Sequence, residues 1–204
     1  MRKLKHHLGR FLRNEDGLVM AEFLIMVPLL IWGLVAMFIY WDVFRTINMT
    51  QKAAYSIADL LSRQKNTIPL AYANGLQNIM NFLTPGGHPV KMRITSFECV
   101  SSTGPNQVCN ATTGSYKLLF SYSPGSKIAA LSQANIQDWK STKIPTLNNG
   151  ESVFVVETSV EFKAQLKTAI AGMMVGVKNN TFGEFIVTRP RHRRLCLEGT
   201  TTCN

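Results

Sequence analysis

Leu18-Val19-Met20-Ala21-Glu22-Phe23-Leu24-Ile25-Met26-Val27-Pro28-Leu29-Leu30-Ile31-Trp32-Gly33-Leu34-Val35-Ala36-Met37-Phe38-Ile39-Tyr40-Trp41 is an apolar run whose only formally charged side chain is Glu22. It exceeds the roughly 20 residues a helix needs to cross the hydrocarbon core of a bilayer. A cleaved secretory signal also follows a basic region, but its apolar part is usually about 7–15 residues and ends in small residues. Here Trp32, Trp41 and bulky aliphatics continue up to Asp42, with no Ala-x-Ala-like exit. The expectation is a retained anchor, one transmembrane helix over 18–41.

Working outward toward the N-terminus, residues 1–17 form a basic leader carrying Arg2, Lys3, Lys5, Arg10 and Arg13. Asn14-Glu15-Asp16-Gly17 is turn-prone and acidic, which suits a helix start. Beyond the span the basic residues thin to Arg45 and Lys52, with Asp42 nearest the membrane. Basic flanks stay on the cytoplasmic side. The chain therefore reads as a single-pass protein of the bacterial inner membrane, N-terminus cytoplasmic and C-terminus periplasmic. The formal charge of +10 divides into +3 over 1–17, −1 at Glu22 and +8 over 42–204. A basic exported domain suits anionic headgroups or polyanions. Placing most of that charge outside the cytoplasm argues against a nucleic-acid partner.

Cys99, Cys109, Cys196 and Cys203 all lie in the exported part. An even count in an oxidising compartment implies disulfides. Three pairings are open, and the local one, Cys99–Cys109 with Cys196–Cys203, is expected. Closing the first loop contributes about 3 kcal/mol in the chain-entropy picture. A zinc site is disfavoured because no CxxC or close His pair is present.

Working outward toward the C-terminus, Val43, Phe44, Ile47, Ala54, Ile57, Ala58 and Leu61 recur at helical spacing without proline or glycine. One helix from about 18 to 63 would be roughly 70 Å long, with 42–66 as its periplasmic extension. A second helix opens at Pro69, with Thr67 as its cap and Leu70, Ala73, Leu76, Ile79, Met80 and Leu83 along one side, and Pro85-Gly86-Gly87 ends it. Strands follow: Val90, Met92 and Ile94 alternate with polar residues, as do Tyr116, Leu118, Phe120 and Tyr122, and 152–162 and 182–188 are rich in Val, Phe and Ile. Residues 101–115 make a polar loop, and 123–150, containing Trp139, a long irregular surface connection. Residues 164–177 carry Leu166, Ile170, Met173, Met174 and Val177 at helical spacing, weakened by Gly172 and Gly176, and suit a core or membrane-facing helix too short for a second crossing. Arg189-Pro190-Arg191-His192-Arg193-Arg194 reads as an exposed basic tail. The fold class is α+β, with 67–204 as an exported domain holding a second helix and a small, mostly antiparallel sheet.

Gly17, then four apolar residues, then Glu22, resembles the processing site of type IV pilin-like proteins. In those families a membrane-embedded peptidase cuts after the glycine, and the glutamate then pairs with the new α-amino group of a neighbouring subunit. A lone carboxylate in a transmembrane helix is costly, and a partner amine offsets that only in the correct register. Gly17-Leu18-Val19-Met20-Ala21-Glu22-Phe23 followed by Pro28-Leu29-Leu30 resembles the opening of the TadE-like family, the TadE/TadF-type pseudopilins of the tight-adherence (Tad) pilus. Residues 53–63 are similar to the post-membrane helix of that group, as is Thr188-Arg189-Pro190-Arg191 to its close, while Asp42-Val43-Phe44-Arg45 departs from the usual Glu-Phe-Gly-Arg. The firm resemblance covers residues 13–63.

The resemblance implies processing between Gly17 and Leu18 by a prepilin-type peptidase, helix packing through Glu22, Phe23 and Pro28, and partners among other pilins, pseudopilins and the Tad assembly machinery. Pro28 also has a plain reading as a tolerated kink, and Gly33 lacks a GxxxG partner.

Catalysis finds no foothold. The exported histidines His88 and His192 sit in no recognisable motif; Glu151, Glu157 and Glu161 are spaced like carboxylates on a solvated strand or loop; Gly86-Gly87 and Gly172/Gly176 form no phosphate loop. The expectation is a non-enzymatic minor pseudopilin without cofactor or metal, supporting Tad (type IVc-like) pilus assembly and surface adhesion. The alternative is a membrane-anchored periplasmic binding or sensor domain unrelated to pili.

Overall fold

A computed structural model describes residues 18–84, 88–101, 108–110, 112–140, 142–162, 180–192 and 194–203. The leader, Gly17 and the 164–177 segment lie outside these residues. The chain divides into two units, with the boundary inside the first helix between Asp42 and Val43.

That helix, α1 (Leu18–Ser62), is unbroken through Pro28. Its first part is a helix exposed on almost every side, from Val19 (73%) through Ile25 (70%) to Trp41 (60%). It is long and apolar enough to cross a membrane, and only 6% of its most apolar window is buried, unlike a core helix.

The second unit is an α+β domain around a four-stranded antiparallel sheet in the order β3-β1-β5-β6, formed by β1 (Val90–Val100), β3 (Ser115–Tyr122), β5 (Ser152–Phe162) and β6 (Asn180–Thr188). On one face the small and branched residues Ala53, Ala54, Ile57, Ala58 and Leu61 of α1 join Ala73, Leu76 and Met80 of α2 (Leu70–Leu83) over Met92, Ile94, Phe154, Val156 and Ile186. Each fully buried Leu or Ile contributes roughly 1.5–3 kcal/mol. Phe44, counted above as part of the stripe, is instead 62% exposed, because it faces away from the buried Val43 and Thr46.

The opposite face carries a second core of Phe97, Cys99, Tyr116, Val153 and Val155, covered by Ile136, Leu147 and the partly buried Leu131, Trp139 and Ile144. The 123–150 connection is therefore not an irregular surface loop. It contains a 3-10 turn (Pro124–Ser126), α3 (Gln133–Trp139) and β4 (Leu147–Asn148), the last paired with β2 (Val108–Cys109) inside the loop expected over 101–115. Ser132 and Asn135 form a reciprocal capping box that starts α3. Gln133 Oε1 accepts from the Leu118 N–H at 2.8 Å, and the Gln133 and Gln137 amides donate to the Tyr116 carbonyl. Side chains thus satisfy the edge of β3, where open backbone groups would invite another strand.

Period-two reading fails once, within β3. Between Ser96 and Phe97 the β1–β3 register shifts, and β3 inserts Leu119. Tyr116 and Leu118 belong to the α3-side core, whereas Leu119, Phe120 and Tyr122 belong with the α1/α2-side core. The bulge switches the phase, so the four aromatic and aliphatic residues do not share a face.

α2 begins at Leu70 with Pro69 in the capping position and no side-chain cap, so Thr67 does not cap it. Its first N–H points instead at Glu198 Oε2, 3.4 Å away. The basic residues Arg189, Arg191, His192 and Arg194 are exposed, as expected, and ion pairs tie their segment to the domain. Arg189 pairs with Glu151 (2.6 Å), Arg191 with Asp59 (2.8 Å) and Arg194 with Glu98 (3.2 Å). Leu195, Cys196 and Leu197 are buried, and Ile68 bridges Leu197 through Ile68 N–H to Cys196 O and Glu198 N–H to Ile68 O, both 2.9 Å.

Candidate functional site

The first turn of α1 contains no acidic residue, so Glu22 stands just past it, exposed among exposed apolar neighbours: Val19 (73%), Phe23 (62%) and Met26 (57%). No cation pairs with it among the described residues. Phe23 lies about 100° round the helix from Glu22, and Pro28 about 240° round and roughly 9 Å further along. These three residues therefore share a short segment of helix but not one face. Pro28 has no N–H, which leaves the Leu24 carbonyl without its usual helical partner. An unscreened carboxylate in hydrocarbon costs about 2.5–3.5 kcal/mol at mid-membrane and less toward the interface. A surface like this is stable in an apolar solvent only if the acid reaches the interface or meets a cation. Gly17 and the leader lie outside the described residues, and so does the side chain of Leu18.

Both disulfides are local. Cys99–Cys109 has a Cα–Cα separation of 5.8 Å and joins β1 to β2; Cys196–Cys203, at 5.9 Å, closes the last loop of the C-terminal strap. Gly114 is required beside the first: it has φ +69°, and a Cβ there would sit 2.6 Å from Cys109 Sγ. Tyr116 packs edge-on to Phe97 with ring centroids 5.7 Å apart. Its hydroxyl donates to the carbonyls of Cys109 (3.0 Å) and Pro145 (3.3 Å), and burial pushes its phenol pKa up.

The carboxylates considered for catalysis do not converge. Glu157 is not on a solvated face. It lies directly opposite Arg93 across the β1–β5 ladder, bound at 2.6 and 2.7 Å, with the two side chains only 16% and 11% exposed. Arg93 also donates to Ala129 O at 2.5 Å and lies 5.9 Å from the Trp139 ring. Glu151 is engaged by Arg189 and by the Asn148 N–H. His88 is buried against Phe162, with ring centroids 4.9 Å apart, while His192 is exposed. Among the described residues no group of three His, Cys, Asp or Glu side chains is placed to hold a metal ion.

Two features escaped the sequence reading. The Arg93–Glu157 pair depends on strand register, which no local pattern reports. The C-terminal strap had a signal in Leu195-Cys196-Leu197, an apolar triplet just after the basic stretch.

Fold and site together define a class: a disulfide-stapled α+β domain carried on a long apolar helix with one acidic residue near its start. A scan of protein-family models matches none of them to this chain, and neither curated proteins nor solved structures contain a significant match.

Proposed function

We propose that the chain is a membrane-anchored minor pseudopilin-like protein that supports assembly of a Tad-type (type IVc-like) pilus and adhesion to surfaces. One observation carries the reading: Glu22 is the sole formal charge between Leu18 and Trp41 and is exposed among exposed apolar side chains, and a neighbouring subunit's amine would neutralise it. In this reading the leader stays in the cytoplasm, a prepilin-type peptidase cuts after Gly17, and the processed helix packs laterally against other pilins in the inner membrane. The exported domain offers its surface to the pilus or its assembly machinery. Two disulfides suit an oxidising periplasm.

Mass spectrometry of the protein recovered from membranes tests this, since the mature chain is expected to begin at Leu18. An intact Met1, combined with normal piliation after Gly17→Ala, would overturn it. That outcome favours the rival, a tethered periplasmic binding domain, for which the groove between α2 and β1 described next is the supporting observation.

A further inference from the structure

We propose that the groove between the end of α2, the start of β1 and the turn after β3 binds a small molecule through an oxyanion, phosphate foremost. The groove holds about 510 Å³ and is lined by Asn81, Thr84, His88, Pro89, Val90, Lys91 and Lys127. That volume lies within the range of small-molecule sites.

Three observations converge on an anion. Two lysines, Lys91 and Lys127, are among the lining residues, and no acidic residue is among the described ones. Glu161, whose N–H donates to the Pro89 carbonyl at 3.2 Å, is not a lining residue. The carbonyl end of α2 adds a partial negative charge of only about half a unit, so the two lysines leave the groove net positive. Second, Thr84 is only 4% exposed, and among the described residues its hydroxyl has no hydrogen-bond partner. A buried hydroxyl left unmatched is costly, and a ligand oxygen would satisfy it.

Third, the turn that carries Lys127 is built rather than slack. Gly125 and Ser126 both adopt left-handed backbone, φ +66° and +51°, a conformation that costs energy at a serine. The buried Ser123 hydroxyl locks the turn, donating to Met92 O at 2.7 Å and accepting from the Ile128 N–H at 3.1 Å. Strain held in place beside a cationic groove is what a preorganised ligand site requires.

The test is an NMR titration of the isotope-labelled full chain in detergent micelles, with sodium phosphate against sodium chloride at matched ionic strength. Phosphate is expected to give saturable shifts in the amides of 81–84, 88–91 and 127, with a Kd on the order of millimolar. Lys91→Ala with Lys127→Ala should weaken binding about tenfold or more, and Thr84→Val about fivefold. Lys143→Ala, a lysine over the Trp139 ring instead, should leave it unchanged. Where the double variant does not fold, Lys127→Glu alone, at an exposed side chain, serves in its place. Equal, non-saturating shifts in chloride would overturn the proposal, as would undiminished binding in the lysine variants. Failure here leaves the argument from Glu22 untouched.

Discussion

One helix, α1, presents two surfaces that obey different rules. Between Val19 and Trp41 most large apolar side chains are exposed, Phe38 at 61% and Leu29 at 62% among them, while Ile39 is buried (6%) with Val35 and Ala36 packed against it. Between Ala53 and Leu61 a single stripe of Ala53, Ala54, Ile57, Ala58 and Leu61 is at most 2% exposed, while Tyr55 (57%) and Leu60 (41%) face outward. A protein core can cover one stripe of a helix, whereas an apolar solvent covers every side. The change from apolar side chains exposed on nearly every side to one buried stripe falls beyond the boundary between the units after Asp42.

Leu61→Ala breaks the comparison hardest. It empties a fully buried site in the sheet-facing core and should cost about 3–4 kcal/mol of domain stability in denaturant unfolding. Phe38→Ala, on the exposed part of the same helix, should change that value by less than about 0.5 kcal/mol; equal costs would erase the distinction. Glu157→Ala should cost about 3 kcal/mol, because it strands the buried Arg93 guanidinium. Glu157→Gln, which keeps a hydrogen-bond acceptor, should cost less in the same assay. Gly114→Ala should lose about 2 kcal/mol through its left-handed backbone and the contact with Cys109 Sγ. Ser132→Ala, removing one half of the α3 capping box, should lose about 1 kcal/mol in thermal unfolding.

Much of the fold was legible. The extent of α1 followed from an apolar run passing into a helical stripe without proline or glycine beyond Gly33. The long β1 and β5 followed from their Val, Ile and Phe content, and of the three open cysteine pairings the expected local one is observed. What could not be read depended on contacts distant in sequence. The bulge at Leu119 is visible only against β1, and the burial of Glu157 only once β5 is placed opposite Arg93. The 123–150 segment looked irregular because its helix, Gln133–Trp139, is short and its apolar residues, Leu131, Ile136, Trp139 and Ile144, are scattered. They gain meaning as a lid on the second face of the sheet. For the candidate site, Glu22 was conspicuous because a carboxylate in an apolar run carries its own energetic signal. The groove was not, since Thr84, Lys91 and Lys127 meet only through the packing of three elements.

In the proposed function the Glu22 carboxylate is held in its apolar surroundings by a cation on a companion chain. Replacing it by Ala and by Gln in the native organism, and scoring surface piliation while membrane levels of the protein are followed by immunoblot, tests that claim most directly. Both variants should insert at normal levels yet assemble few or no pili. Normal piliation in both would rule out a pairing role for Glu22 and leave a tethered domain whose role lies elsewhere.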